Sequence, residues 1–266
     1  MNDEKLPTVH DLYFYPIKSF RGLRTGELRL NSSGPLLDRQ WMLVDEKNSF
    51  LTQRQIPELA KFGVSLDESS LELSLQEFGT SDFGLEEHED KEFNVTLWKT
   101  EVPAFEVSGE VSEWLSKVLS RKVKLVRLSS NAHRGFDEEL PERTMRFVDQ
   151  RPLLVIGRAS LEQLEKKAGV GISMSRFRPN IVISNIPAHA EDTWAGFKIG
   201  NLNFKALKPS TRCKVTTVHP LTGVMGEEPL KTLATYRQME KGLHFGYYYA
   251  HLNDGLIKIG APVSPH

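Results

Sequence analysis

Leu153-Leu-Val-Ile156 and Ile181-Val-Ile183 are the stretches on which the fold class turns, and Trp41-Met-Leu-Val44 is a third of the same kind. Each is a short, dense apolar run, which fits a strand buried on both faces. Working outward, period-two alternation recurs. Leu28 and Leu30 alternate with Glu27 and Arg29, and Leu71, Leu73 and Leu75 with Glu72 and Ser74. The same rhythm runs through Phe93, Val95 and Leu97, then Leu202, Phe204 and Ala206, then Ile257 and Ile259. Short strands separated by Gly, Pro, Asn and Ser predict sheets that curl into barrels.

Three helices are predicted. Val111, Trp114, Leu115, Val118 and Leu119 form one apolar face over 109–120. Ser160 with Gln163 reads as a capping box, with Gly169 as the C-terminal cap. Pro229 is placed to open a third helix and Gly242 to close it. Helices are the minority, so the class is α+β and predominantly β. The acidic stretch from Thr80 to Glu92 reads as a solvated loop, and the polar stretch Ser129 to Glu142 as a loop near a domain boundary.

The chain has 266 residues, with 34 Lys plus Arg against 35 Asp plus Glu, a formal net charge of −1. That balance argues against binding nucleic acid through bulk charge. A chain of this length buries roughly 70–75% of its unfolded surface, so it needs no metal or disulfide staple. Cys213 is the one cysteine, which rules out an intrachain disulfide or a zinc site of several thiolates. Met1 to Thr8 is polar and has no apolar signal core, and no apolar run is long enough to span a bilayer. These features predict a soluble protein of a reducing compartment, the cytoplasm.

Phosphate-loop, dinucleotide, H-E-x-x-H and G-x-S-x-G motifs are all missing. What remains is a thiol among cations. Cys213 lies between Arg212 and Lys214, with Lys208 upstream, and nearby positive charge favours the thiolate, a nucleophile and soft-metal ligand. A buried, inert cysteine is the plainer alternative. Tyr15-Pro-Ile-Lys-Ser19 reads as a strand-to-loop corner, with Asp38-Arg39 further on. In Arg176-Phe-Arg-Pro-Asn180, Pro179 predicts an extended Arg178 whose guanidinium projects from a strand start. Cations and small polar donors at loop corners suit a phosphate or another anion, although each alone also fits an ordinary surface ion pair.

Taken together and in order, these segments resemble a known family. Tyr15-Pro-Ile-Lys-Ser19, Asp38-Arg-Gln-Trp-Met-Leu-Val44, Phe50-Leu-Thr-Gln-Arg54 and Ser175-Arg-Phe-Arg-Pro-Asn-Ile-Val182 are followed by Ala190-Glu-Asp-Thr-Trp194 and Thr211-Arg-Cys-Lys-Val-Thr-Thr-Val218. Glu228-Pro-Leu-Lys-Thr-Leu233, Phe245-Gly246 and Gly255-Leu-Ile-Lys-Ile-Gly260 complete the set. The chain is similar throughout to MOSC-domain proteins, the bacterial reductases of N-hydroxylated compounds and the mitochondrial amidoxime-reducing component. The resemblance implies an N-terminal β-barrel domain, 1–122, and a MOSC β-barrel domain, 123–266, with the molybdenum cofactor (Mo-molybdopterin) between them. It makes Cys213 the metal ligand and catalytic residue. It assigns the pterin-phosphate contacts to Lys18, Ser19, Arg39, Arg178, Asn180, Thr211 and Arg212, and places Tyr248 close to the cofactor.

The implied activity is reduction of a small N-hydroxylated substrate, a hydroxylamino base or an amidoxime. Some bacterial relatives carry a C-terminal ferredoxin domain. This chain has no further cysteine for such a cluster, so its electrons are expected from a separate ferredoxin- or flavin-type protein. No membrane or specific nucleic-acid partner is expected. His219 stands where relatives commonly carry Asp. Two other readings compete. In one, Cys213 serves a non-catalytic carrier of sulfur or of molybdenum cofactor. In the other, the chain is an anion- or nucleotide-binding module with an inert thiol.

Overall fold

The computed structural model describes residues 6–266. The start of the polar stretch Met1–Thr8 therefore lies outside the described residues. The three dense runs are all strands, and every residue of Trp41–Val44 and Leu153–Gly157 is buried. Buried-on-both-faces strands arise because the chain covers each sheet with something else, and here the covers are other sheets and a few helices.

The largest sheet has nine strands. Their order is Val263–Pro265, Gly196–Ile199, Leu202–Thr211, Gly242–His251, Leu153–Gly157, Ile181–Ser184, Thr8–Phe14 and Leu23–Thr25, with Gln238–Met239 attached to Gly242–His251. One neighbouring pair, Leu153–Gly157 with Ile181–Ser184, is parallel. A parallel pair needs a crossover, and helix α2 (Arg158–Ala168) lies between the two in sequence. The first strand pairs with Ile181–Ser184, and Glu27–Asn31 pairs with Gly255–Lys258. Both ends of the chain thus share sheets. A four-stranded sheet joins Trp41–Val44, Lys124–Leu128, Thr100–Glu106 and Glu92–Leu97, and a three-stranded one runs from Gly63 to Gly84.

The predominantly β, α+β class holds. Helix α1 (Gly109–Val118) starts at Ser108, whose side chain accepts from Val111 N, and buries Val111 and Leu115 as the pattern required. Three local expectations are corrected. Ser160 does not cap α2; the cap is Gly157, and the Ser160 hydroxyl turns inward to the buried Glu191 carboxylate at 2.8 Å. Gly169 does close the helix, at φ +68°. Helix α3 spans Leu230–Tyr236 after Pro229, but Gly242 begins a strand instead of ending the helix. The first part of Thr80–Glu92 is a hairpin strand, Gly79–Gly84, because its partner Ser70–Leu75 supplies the ladder that its polar composition hides.

At Gly246 (φ +74°) an added Cβ would lie 2.6 Å from Ile156 Cγ1 and 2.8 Å from Val155 O. Only glycine allows this close approach of the two central strands. Phe245, its neighbour, packs with Leu154, Ile156, Leu164, Phe177 and Leu233 in the core beneath α2 and α3.

Candidate active site

The site is assembled from strand ends. The first strand stops at Phe14, and the next residues turn a corner in which Lys18 N donates to Trp41 O (2.8 Å) and Arg39 N to Tyr15 O (2.7 Å). Tyr15 N donates to Asp38 Oδ1 at 2.8 Å, so the two sequence clusters, 23 residues apart, are locked together. Ser19 (φ +70°) and Arg39 (φ +50°) both take left-handed backbone conformations, which aim their side chains differently from a plain strand end. From the other half of the chain come the 3₁₀ turn Met174–Arg176, the end of the strand Leu202–Thr211, and the turn Lys214–Thr217 that Cys213 introduces.

A cavity of about 190 Å³ lies between these pieces. Lys18, Ser19, Arg39, Arg178, Asn180, Thr211, Arg212, Cys213 and Tyr248 all line it, so the residues that the resemblance assigns to the cofactor border one space. Seven cationic side chains line the cavity, against the single carboxylate of Asp149. That local excess exists in a chain whose net charge is −1, and it makes the cavity an anion trap by Coulomb attraction in a partly desolvated space.

The cations are not equivalent. Lys18, 4% exposed, donates to Phe147 O (2.9 Å) and pairs with Asp149. Burial lowers Lys18 to about 8, with Asp149 opposing the shift. Burial alone would raise the Asp149 carboxyl, but Lys18 and Arg54 beside it hold it at about 2. The Arg39 guanidinium pairs with Asp38 and lies 4.3 Å from the centre of the Tyr15 ring, where Arg178 also stacks at 4.1 Å. Arg212 is occupied by backbone: Nε donates to Phe245 O (2.8 Å) and Nη1 to Phe177 O (3.1 Å). Arg176 likewise bonds Thr216 O and Val218 O. Arg178 donates through Nη1 to Phe20 O at 2.5 Å, whereas its Nη2 is buried with no partner. Burial lowers the Arg178 guanidinium to about 10, which leaves it charged at neutral pH.

The polar neutral residues divide in the same way. The Asn180 amide is buried and fully engaged: Oδ1 accepts from Leu154 N (3.2 Å), and Nδ2 reaches Tyr13 O (3.2 Å) and Asp38 Oδ1 (3.4 Å). It ties three segments together. Thr211 Oγ1 accepts from Gln150 Nε2 at 3.3 Å. The Cys213 thiol is only partly buried, and Arg54 Nη2 lies 3.4 Å from its Sγ.

Several expectations change here. Arg178 is not extended but left-handed, at φ +56°. Its carbonyl accepts from Arg39 Nη2 and its amide donates to Ser175 O, so the tertiary bonds outweigh the steric preference set by Pro179. Of the cations that flank Cys213 in sequence, Arg212 lines the cavity, whereas Lys208 and Lys214 do not. The residues missed are Arg54, Asp149, Gln150 and Arg151. Arg54 ends one of the family-like stretches, a signal that could have found it. Asp149 lies in a region without regular periodicity, and nothing local marks it. His219 lies outside the cavity, where Nδ1 accepts from Leu221 N and Thr222 N at 3.3 Å each, the turn-capping task an Asp carboxylate performs. Among the described residues no group of three or more His, Cys, Asp or Glu side chains could hold a metal.

Comparison with known proteins completes the description. The MOSC N-terminal beta barrel domain matches residues 6–122, and the MOSC domain matches residues 142–264. Mitochondrial amidoxime-reducing component 1 of Homo sapiens is 32% identical over 284 residues, covering 98% of this chain and 83% of that protein. Its Mus musculus counterpart is also 32% identical, with 98% and 82% covered. Mitochondrial amidoxime reducing component 2 of Homo sapiens is 29% identical, with 98% and 84% covered. With both domains matched in order and identity above 30% across nearly its whole length, this chain belongs to the MOSC family, alongside the amidoxime-reducing components.

Proposed function

We propose that the chain is a reductase of N-hydroxylated small molecules that uses a molybdenum cofactor held by Cys213. One observation carries the proposal: a partly buried thiol opens onto a cavity lined by seven cations and one carboxylate. The residues present fit a phosphorylated, thiolate-ligated group. Arg178 Nη2 is a buried donor that lacks any acceptor from the protein, which is what a bound anion would supply. Lys18, Ser19, Arg39, Arg178, Thr211 and Arg212 would hold the anionic part, with Asn180 fixing the corner from behind and Tyr248 on the cavity wall. Cys213 would ligate the metal as thiolate. When bound, the cofactor supplies the two-electron redox chemistry that removes oxygen from an N–OH group.

The chain's own part is to bind, orient and shield. Tyr15, buried and raised by that burial, supports the Arg39 and Arg178 guanidinium groups on its ring and fixes its hydroxyl to Pro179 O at 3.0 Å. The Lys18–Asp149 pair keeps a cation at the cavity wall without leaving it uncompensated. Electrons reach the site in this reading from a separate ferredoxin- or flavin-type protein. The division into units 1–122 and 123–266 belongs to the same proposal, although strands from both ends share sheets. So does a cytoplasmic location, where a lone thiol stays reduced. The relatives named here are called mitochondrial, and no helix among the described residues is long and apolar enough to cross a membrane. Cell fractionation that recovers the protein in an organelle overturns that location.

The test is expression in a host that makes the cofactor, followed by elemental analysis and assay with a reduced viologen donor. The expected result is molybdenum bound to wild type with turnover of benzamidoxime, and loss of both in Cys213→Ser with the melting temperature nearly unchanged. Full molybdenum loading without turnover of any N-hydroxylated probe overturns the reading. An extra sulfur on Cys213 without molybdenum, seen by mass spectrometry, supports a carrier instead.

A further inference from the structure

The hairpin between Glu92–Leu97 and Thr100–Glu106 has a two-residue loop, Trp98-Lys99, with Leu97 opposite Thr100. Trp98 has φ +60°, and Lys99 is not among the positive-φ residues. A positive φ at the first loop position is where two-residue hairpins strongly prefer glycine. A bulky tryptophan there is strained, and an outlier of this kind calls for a compensating role. The turn itself does not need the indole, which is 49% exposed.

The indole is nevertheless held in place. Its Nε1–H donates to Asp149 Oδ1 at 3.2 Å, the Arg54 guanidinium lies 5.0 Å from its ring centre, and the Phe50 ring packs beside it at 5.0 Å. Asp149 and Arg54 both line the cavity, and Arg54 Nη2 is 3.4 Å from Cys213 Sγ. Trp98 does not line the cavity but touches two residues that do, so it stands at the rim, one side chain removed from the sulfur. A flat aromatic surface fixed at a rim and left half open to solvent suits stacking with a planar molecule that reaches inward.

We propose that Trp98 is the stacking platform for the planar part of the substrate, which makes the chain selective for aryl and heteroaryl N-hydroxylated compounds over alkyl ones. This rests on the reductase reading above. The aryl ring or base lies against the indole while its N–OH group enters the cavity, and an alkyl substrate gains nothing from the indole.

The experiment uses the molybdenum-loaded protein with benzamidoxime and acetamidoxime as probes and a reduced viologen as donor. Trp98→Leu keeps apolar bulk without a flat ring, and Trp98→Phe keeps a ring; thermal denaturation checks that both fold. In Trp98→Leu the ratio of kcat/KM for benzamidoxime over acetamidoxime falls about tenfold, or about 1.4 kcal/mol. The fall comes through the KM of benzamidoxime, and Trp98→Phe restores most of the preference. A ratio unchanged in Trp98→Leu, or an equal loss on both probes, overturns the platform while leaving the reductase reading intact. Loaded wild type that reduces neither probe overturns both.

Discussion

Arg146 and Arg178 are both cations taken largely out of water, and the regions around them end differently. Arg146 is 6% exposed in the segment that follows the long polar loop. All three of its nitrogens have acceptors: Nε bonds Gln40 Oε1 (2.8 Å), Nη1 bonds Pro35 O (2.9 Å) and Ser33 O (3.3 Å), and Nη2 bonds Asn31 Oδ1 (3.1 Å). It is a clamp that fastens the loop to the N-terminal hairpin. Arg178, which lines the cavity, has one acceptor, Phe20 O, and a buried, orphaned Nη2. Burial lowers both guanidinium groups. A buried cation is therefore no mark of a binding site by itself; a buried donor without an acceptor on a residue that lines a cavity is the stronger sign.

The comparison can be broken at three places. Arg146→Ala strands several buried acceptors at once and should cost about 3 kcal/mol of folding stability, read from urea unfolding. A loss under about 1 kcal/mol would show that water replaces the guanidinium and that Arg146 is no clamp. Asp149→Asn has a smaller effect, full above about pH 4 and fading in acid. The folded-state carboxyl sits near 2 against an ordinary 3.8, so its contribution is present above about pH 4 and lost as pH falls towards 2. With the side chain 36% exposed, screening leaves about 1 kcal/mol. Wild type should thus lose its margin over Asp149→Asn across that window, and parallel pH profiles of melting temperature would refute the pairing. Arg178→Met should change stability least, by about 1 kcal/mol or less, since one lost bond is offset by relief of a desolvated charge. Its effect should appear in ligand: the variant retains at least about tenfold less molybdenum under equal expression. If Arg146→Ala and Arg178→Met instead behaved alike in both measurements, the distinction drawn here would fail.

Much of this was legible along the chain. The dense runs at 41–44, 153–156 and 181–183 became buried strands because burial on both faces leaves no polar alternation to find. The loop-corner cations were legible as a set because each sits beside Pro, Asp or Cys in a short motif. The polar hairpin strand at 79–84 was not, since its ladder partner and not its own composition makes it a strand. Ser160 is ambiguous in sequence because a hydroxyl near a helix start serves either a cap or a buried carboxylate, and only the position of Glu191 decides.

By itself, the amino-acid order determined that the chain is predominantly β, that it has one thiol to offer, and which cations stand at corners. These are local properties, written in periodicity and in residue chemistry. Only the tertiary structure decided that residues from both halves face one cavity, that Arg54 and not Lys214 approaches the sulfur, and that Asn180 and Arg212 have their polar atoms largely occupied while Arg178 keeps one free. The reason is that a hydrogen-bond donor has a few directions and many possible acceptors, and which acceptor it meets depends on segments distant in the chain, more than a hundred residues away for Arg178 with Phe20 and for Arg54 with Cys213.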